Sequence, residues 1–240
     1  MIIIGNDVVD LRSPRSRDKH TSERFIQRVF TEEEAALIRD SRAPDRTLWT
    51  LWAAKETAYK VATKLLGTPP VFEHRAFVCL PFQGDSAGLW GEVQWGEVRV
   101  HLADDSGEGW IHLTGWDARE GPPPYISPAV HRHDRWATEQ RLDPHTGWQS
   151  FLGKHFTREE ADPIHSVPSA LVRIAARRAA GELLGVEEGR LQLICGEGAM
   201  GRRPPRLILD GRPAPVDVSL SHHGELMAWV VGPPPGDQSA

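Results

Sequence analysis

A long helical period is the feature that most constrains how this chain folds. From about Arg46 to Leu66, apolar residues recur at helical spacing, and Gly67 followed by a pair of prolines ends the pattern. The apolar stripe consists of Leu48, Leu51, Trp52, Ala58, Tyr59, Ala62 and Leu66. At 100° per residue, Glu56 and Lys60 lie together at the border of this stripe. The pattern predicts a helix that packs on a core and presents a carboxylate and an ammonium group at the edge of a cleft.

Lys55 falls near the middle of the same stripe, where a lysine is unexpected. One explanation is that its aliphatic stem passes along the core while its charged end reaches water. The other is that its ammonium group points into a phosphate-binding cleft between two halves of the protein. We favour the second explanation, because the helix would then face a partner half as well as its own core.

The amino terminus supplies a second carboxylate. Three isoleucines begin an apolar strand at about 2–9, in which Gly5 precedes Asp7. A strand aspartate and a helical glutamate can together hold Mg²⁺, which proteins usually bind through one or two carboxylates, with phosphates and water as further ligands. Asp10 follows Asp7 by an odd offset, which on a strand points it to the opposite face. Asp10 is therefore either a third ligand, reached by a bend, or a carboxylate that caps a loop.

The remaining patterns predict a mixed α/β (α+β) protein made of two similar halves, each with helices packed on a small antiparallel sheet. Thr31 and Glu34 form a capping-box pattern. Further helices are predicted near 21–30 and 167–184, and strands at 71–80, 89–103, 109–116, 190–195, 206–209, 216–221 and 226–231. The predicted organisation is a metal-binding half at 1–118, a linker at 119–166, a second half at 167–232 and a disordered tail at 233–240.

Composition excludes several classes of function. The net charge of −5 argues against a general nucleic-acid binder, and no apolar run is long enough to span a membrane. Cys79 and Cys195 lie in opposite halves, as expected of buried, reduced thiols in a cytoplasmic protein. We therefore expect a cytoplasmic protein that binds neither nucleic acid nor membrane.

Four pieces of sequence resemble the 4′-phosphopantetheinyl transferases. They are Gly5-x-Asp7, Arg24-Phe25 with Thr31-x-x-Glu34, Trp52-x-x-Lys55-Glu56-x-x-x-Lys60, and the segment Val218–Gly224, which contains Ser221-His222. The last piece resembles that family's coenzyme A-binding strand and turn. The order of the pieces matches the small acyl-carrier-protein synthase type and reverses the order of the larger type. The resemblance implies a monomeric pseudo-dimer with its halves in swapped order.

The resemblance also implies an activity and a set of site residues. The activity is Mg²⁺-dependent transfer of 4′-phosphopantetheine from coenzyme A to a serine of an apo carrier protein. Asp7 and Glu56 would hold the metal, and Lys55 and Lys60 would be catalytic together with Glu56. Coenzyme A would contact Arg202, Arg203, Ser221 and His222, with Arg206 as a further candidate. Gly211-Arg212-Pro213 matches the same Gly-basic-Pro pattern as Gly201–Pro204, so both segments stay open.

A basic segment near the amino terminus is the predicted docking site for an acidic carrier protein. Its basic residues are Arg12, Arg15, Arg17, Lys19, Arg24 and Arg28. Complementary charge would speed encounter and select partners. Two alternative functions are a non-catalytic module that binds coenzyme A or carrier proteins, and a coenzyme A pyrophosphohydrolase.

Overall fold

The computed structural model describes residues 2–81, 91–119, 127–145, 147–198 and 201–232. It contains helices and antiparallel sheets, which confirms the predicted mixed α/β class. Among the helices in these ranges, none is both long enough and apolar enough to cross a bilayer. The predicted tail at 233–240 lies outside the described residues.

The first half is one five-stranded antiparallel sheet with helices packed against it. Its helices are α1 (Glu23–Val29), α2 (Glu32–Asp40) and α3 (Pro44–Leu66). Its strands are β1 (Ile4–Asp10), β2 (Val78–Pro81), β3 (Gly91–Trp95), β4 (Val98–Asp104) and β5 (Trp110–Asp117). The strand order β1-β5-β4-β3-β2 leaves β1 at one edge of the sheet. That edge faces the second half.

The second half contains several smaller sheets around a long helix. Its helices are α4 (His133–Glu139), α5 (Trp148–His155), α6 (Arg158–Ala161) and α7 (Val167–Leu184). Its strands are β6 (Ser127–Arg132), β7 (Leu191–Ile194), β8 (Glu197–Gly198), β9 (Gly201–Arg202), β10 (Arg206–Leu209), β11 (Arg212–Pro213), β12 (Val218–His223) and β13 (Leu226–Val231). They form the sheets β12-β13-β6, β11-β10-β7 and β8-β9.

Local sequence patterns place the ends of the helices correctly. Gly67 and Gly185 end α3 and α7 in the left-handed conformation, with φ values of 69° and 64°. Thr31 and Glu34 form the predicted capping box: the Thr31 hydroxyl accepts from the Glu34 amide, and the Glu34 carboxylate accepts from the Thr31 amide. These predictions hold because each depends only on residues near one another in the chain.

The structure contradicts the predicted linker at 119–166. Strand β6 pairs along the whole of β13, so it belongs to a sheet of the second half. Trp136, Phe151 and Phe156 are buried in the same core as α7. The sequence of this segment resembles a linker because its helices are short and its apolar residues are widely spaced, so it shows no clear periodicity. In the folded protein, tertiary contacts bury these apolar residues.

Each half contains a buried ion pair in the same arrangement. Phe30-Thr31-Glu32-Glu33-Glu34-Ala35 and Phe156-Thr157-Arg158-Glu159-Glu160-Ala161 each form a capping box. Glu34 accepts a bond from Lys55 of α3, at 2.9 Å, and Glu160 accepts one from Arg177 of α7, also at 2.9 Å. Glu34 also accepts a backbone amide of β2, the first strand after α3, and Glu160 accepts one of β7, the first strand after α7. This repetition supports the predicted similarity of the halves; their pseudo-dimeric relation stays a prediction.

Candidate active site

A missing side chain brings β1 close to α3. A Cβ atom on Gly5 would lie 2.5 Å from the Thr57 carbonyl oxygen of α3. Gly115, which pairs with Gly5 across the sheet, would place its Cβ 2.9 Å from the Thr57 methyl group. The two glycines form a notch that receives the helix. The close contact brings Asp7, two residues after Gly5, beside the polar border of α3.

Asp7, Glu56 and Lys60 come together at this contact. The Lys60 ammonium donates to Asp7 Oδ1 at 3.0 Å and to the Asn6 carbonyl oxygen at 2.6 Å. Burial and, after it, the negative charge of Asp7 together raise the pKa of Glu56 from 4.5 to about 7, although the positive charge of Lys60 acts in the opposite direction. The predicted juxtaposition of these three side chains is therefore present, and their catalytic roles stay predictions.

This arrangement suits a divalent cation. Burial and the negative charge of Asp7 disfavour ionisation of Glu56, so a positive charge beside these carboxylates would stabilise the ionised form of Glu56. In the described part of the chain, no cluster of three or more His, Cys, Asp or Glu side chains with metal-binding geometry is present. Mg²⁺ needs only one or two protein carboxylates when substrate phosphates and water complete its shell. Asp7 and Glu56 are the residues that would hold it.

Asp10 caps a loop, which is one of the two alternatives that the sequence left open. Its Oδ1 accepts from the Arg12 amide at 2.9 Å, and its Oδ2 accepts from the Glu225 amide at 3.1 Å. Gly224, at φ 57°, lies so close that a Cβ atom there would be 2.5 Å from Asp10 Oδ2. The odd offset from Asp7 has the expected consequence: Asp10 faces the turn between β12 and β13 instead of α3.

The prediction that Lys55 points into a phosphate cleft is wrong. Its side chain is 0% exposed and lies inside the first core. The ammonium group donates to Glu34 and to the carbonyl oxygens of His74 and Phe77. A buried lysine needs a counter-ion, and Glu34 supplies one from a neighbouring helix. The helical stripe located Lys55 correctly on the core side, but the position of its partner depended on tertiary structure.

The Ser-His segment of the second half lies directly beside β1. Asn6 is fully buried, and its side-chain nitrogen Nδ2 donates to Ser221 Oγ at 3.2 Å. His222 is the next residue of β12. Partial desolvation lowers the pKa of His222, and the positive charges of Lys60 and Arg173 lower it further. The structure thus brings Ser221 and His222 next to Asp7 and Lys60.

A cavity of about 210 Å³ lies between the halves next to Lys60. Its lining includes Tyr59 and Lys60 from α3, and Arg203 with the two prolines that follow it from the second half. Arg212 does not line this cavity. Of the two Gly-basic-Pro segments, the one at 201–204 therefore reaches the cleft. Arg206 is exposed, and the side chain of Arg202 lies outside the described part of the structure.

Comparison with known proteins places the chain in a family. The sequence model of the 4′-phosphopantetheinyl transferase superfamily matches residues 3–100. A holo-[acyl-carrier-protein] synthase of Mesorhizobium japonicum is 32% identical over 92 residues, which cover 38% of this chain and 67% of that protein. This chain belongs to the 4′-phosphopantetheinyl transferase superfamily.

Two other similarities are more limited. A holo-[acyl-carrier-protein] synthase of Shewanella frigidimarina is 34% identical over 71 residues, so the match spans 30% of this chain and 56% of that relative's length. A crystal structure of holo-[acyl-carrier-protein] synthase from Neisseria meningitidis has a TM-score of 0.36 and 22% identity, over 49% of this chain and 98% of that chain. The match to the Shewanella frigidimarina protein, like the match to the family model, covers less than half of this chain.

Sequence reasoning missed several residues of this site. Asn6 links β1 to Ser221, and Lys64 lies one helical turn beyond Lys60 with contacts to both halves. The spacing of Lys60 and Lys64 at i, i+4 was the pattern that could have indicated Lys64. Asp217, its partner, carries no local pattern, because its importance depends on a contact 153 residues away in the sequence.

Proposed function

We propose that this member of the superfamily transfers the 4′-phosphopantetheine group of coenzyme A to a serine of an apo carrier protein and releases 3′,5′-ADP. The observation that carries the proposal is the convergence of Asp7, Glu56 and Lys60 of the first half on Ser221, His222 and Arg203 of the second. A site that joins two carboxylates to several cationic donors suits a substrate with a pyrophosphate group.

The transfer forms one bond and breaks one. The carrier serine oxygen attacks the β-phosphorus of coenzyme A, and the bond from that phosphorus to the bridging oxygen breaks, so that 3′,5′-ADP leaves. Bound Mg²⁺ would neutralise charge on the pyrophosphate, as metal ions do in phosphoryl transfer. Glu56 would act as the general base that accepts the proton of the serine hydroxyl.

The cationic side chains would bind and orient the substrate. Lys60 keeps Asp7 in position and carries a positive charge at the mouth of the cavity between the halves. Arg203 lines the opposite wall of that cavity, where its planar group of donors suits a phosphate. Ser221 and His222 would contact the same substrate from β12.

The amino-terminal basic segment would dock the carrier protein. Arg12, Arg24 and Arg28 are exposed, and the Arg28 guanidinium lies 6.0 Å from the centre of the half-buried Phe25 ring. Phe25 in turn stacks on Trp52 of α3, one turn before Glu56, at 5.6 Å. An exposed basic helix next to the site is a suitable surface for an acidic carrier helix.

The decisive experiment is to incubate the protein with coenzyme A, Mg²⁺ and an apo carrier protein and to measure the mass of the carrier. We expect the carrier to gain one phosphopantetheine group, and omission of Mg²⁺ to prevent the gain. Release of 3′,5′-ADP without any carrier would favour a coenzyme A pyrophosphohydrolase. Binding of coenzyme A without either product would favour a non-catalytic module.

Variants of the two carboxylates test the mechanism. Glu56→Gln and Asp7→Asn should each lower the transfer rate by at least ~10²-fold, the scale of a lost general base or electrostatic stabiliser. Excess Mg²⁺ should partly restore Asp7→Asn and should restore Glu56→Gln poorly, because only the glutamate is proposed to accept a proton. Near-normal turnover of Glu56→Gln would remove Glu56 from the mechanism.

A further inference from the structure

Strands β1 and β12 run side by side in parallel, and they are joined by the side chain of Asp217, which directly precedes β12, and by two side chains of β12. The amides of Ile4, Asn6 and Asp10 donate to Asp217 Oδ2, Ser219 Oγ and His223 Nδ1, at distances of 2.9, 2.9 and 3.0 Å. In each pair the two residues are 213 positions apart. A constant offset means that the two strands keep one register over the whole contact.

Two lysines of α3 each donate hydrogen bonds to both of these strands. Lys64 donates to the carbonyl oxygens of Ile4 and Val218, both at 2.7 Å. One helical turn earlier, Lys60 donates to those of Asn6 and Leu220, at 2.6 and 3.4 Å. The helix therefore holds β1 and β12 together at two successive levels.

The two levels differ in their carboxylate partner and in their exposure. Lys60 pairs with Asp7 in the proposed metal site, and 27% of its side chain is exposed. Lys64 pairs with Asp217 at 2.8 Å, and the side chains are only 10% and 11% exposed. Asp217 Oδ2 also accepts the Ile4 amide, so one carboxylate oxygen fixes both the lysine and the start of β1.

We propose that Lys64 and Asp217 are positioning residues for the coenzyme A site, which rests on the proposed function. The pair fixes the register of β12 against β1 and so sets where Ser221 and His222 lie relative to Asp7 and Lys60. The hydrogen bonds to the β1 amides show why. Asp217 accepts the first of them, Ser219 the second, and His223, two residues after Ser221, the third. A small displacement of positioned groups is enough to weaken a site built across two elements.

The pair differs from the buried Glu160–Arg177 pair, which supplies a matched control. Glu160–Arg177 lies wholly inside the second half, with side chains 2% and 8% exposed. Asp217→Asn and Glu160→Gln each remove one buried carboxylate charge and leave its cationic partner. Both variants should be destabilised, but only Asp217→Asn should change the contact between the halves.

Amide hydrogen exchange without coenzyme A tests the register directly. We expect Asp217→Asn and Lys64→Gln to lose protection at the Ile4 and Asn6 amides, while the amides that pair β12 with β13 keep theirs. Glu160→Gln should leave Ile4 and Asn6 as protected as in the wild type. Equal loss at these amides in all three variants would mean that the Lys64–Asp217 pair stabilises the fold only, and would overturn the proposal.

Calorimetric titration with coenzyme A tests the consequence for the site. Removing a negative charge near a polyanionic ligand would, by electrostatics alone, tighten binding, whereas a displaced β12 should weaken it. We expect the dissociation constant of Asp217→Asn to rise by about tenfold and that of Glu160→Gln to stay near the wild-type value. Unchanged or tighter binding by Asp217→Asn would overturn the positioning role. Failure of the wild-type protein to bind coenzyme A would instead count against the proposed function and leave the exchange result to decide the register.

Discussion

Glu56 should destabilise the metal-free protein at neutral and alkaline pH. It is half-buried beside Asp7, and these two features hold its pKa near 7 instead of 4.5. Replacing it with glutamine removes the charge and keeps the size of the side chain. We therefore expect Glu56→Gln, in the absence of metal, to be more stable than the wild type above about pH 7 and to differ little from it near about pH 4.5.

The sign and size of this effect follow from proton linkage. Between pH 4.5 and about 7 the folded protein keeps a proton on Glu56 that the unfolded chain has released, so the free energy of unfolding falls as pH rises. Each pH unit in that window corresponds to about 1.4 kcal/mol, which gives about 3 kcal/mol at most for the whole interval. Solvent relaxation around a half-buried group lowers the expected value to roughly 1–3 kcal/mol.

Urea unfolding with a chelator present, at about pH 5 and about pH 8, measures the effect. The wild type should lose stability between the two conditions relative to Glu56→Gln, and Glu182→Gln, which changes an exposed glutamate of α7, should follow the wild type. Mg²⁺ should restore wild-type stability at the higher pH and leave Glu56→Gln unchanged, because a ligand that binds only the folded state stabilises it. Parallel pH dependence of the wild type and Glu56→Gln would refute the reasoning.

Three further predictions concern other parts of the molecule. Gly5→Ala should lower the free energy of unfolding by roughly 1–3 kcal/mol, measured by urea unfolding, because the new methyl group would meet the backbone of α3; an unchanged midpoint would mean that the strand and helix can separate at no cost. The double variant Arg24→Glu, Arg28→Glu should raise KM for the apo carrier and leave coenzyme A affinity nearly unchanged, with a smaller effect at high salt; carrier kinetics equal to those of the wild type would exclude this surface from docking. Glu34→Gln should lower the thermal unfolding temperature strongly, because leaving Lys55 buried without its partner costs about 3–5 kcal/mol. A decrease in unfolding temperature no larger than that of a surface substitution would contradict the role of the buried ion pair.

The sequence by itself determined many of the helices and strands outside 119–166, and it indicated that Asp7 would lie near Glu56 and Lys60. Helix α7 at 167–184 and strands 206–209 and 226–231 were predicted at their observed bounds, since period, caps and glycine stops act over a few residues. The Asp7 contact was predictable because Gly5-x-Asp7 and the helical pattern around Glu56 resemble a known family.

Only the tertiary structure decided which charges are structural. Lys55 and Lys60 are five residues apart on one helix, yet the first is enclosed with Glu34 in a core and the second lies in the cleft. The helical stripe places Lys55 on the core side and Lys60 at the border, but no local pattern shows that the cost of burying the Lys55 ammonium group is offset by a carboxylate from elsewhere in the chain. The same reason explains Lys64 and Asp217: their pairing depends on how β12 lies against β1, and that contact between the two halves exists only in the folded molecule.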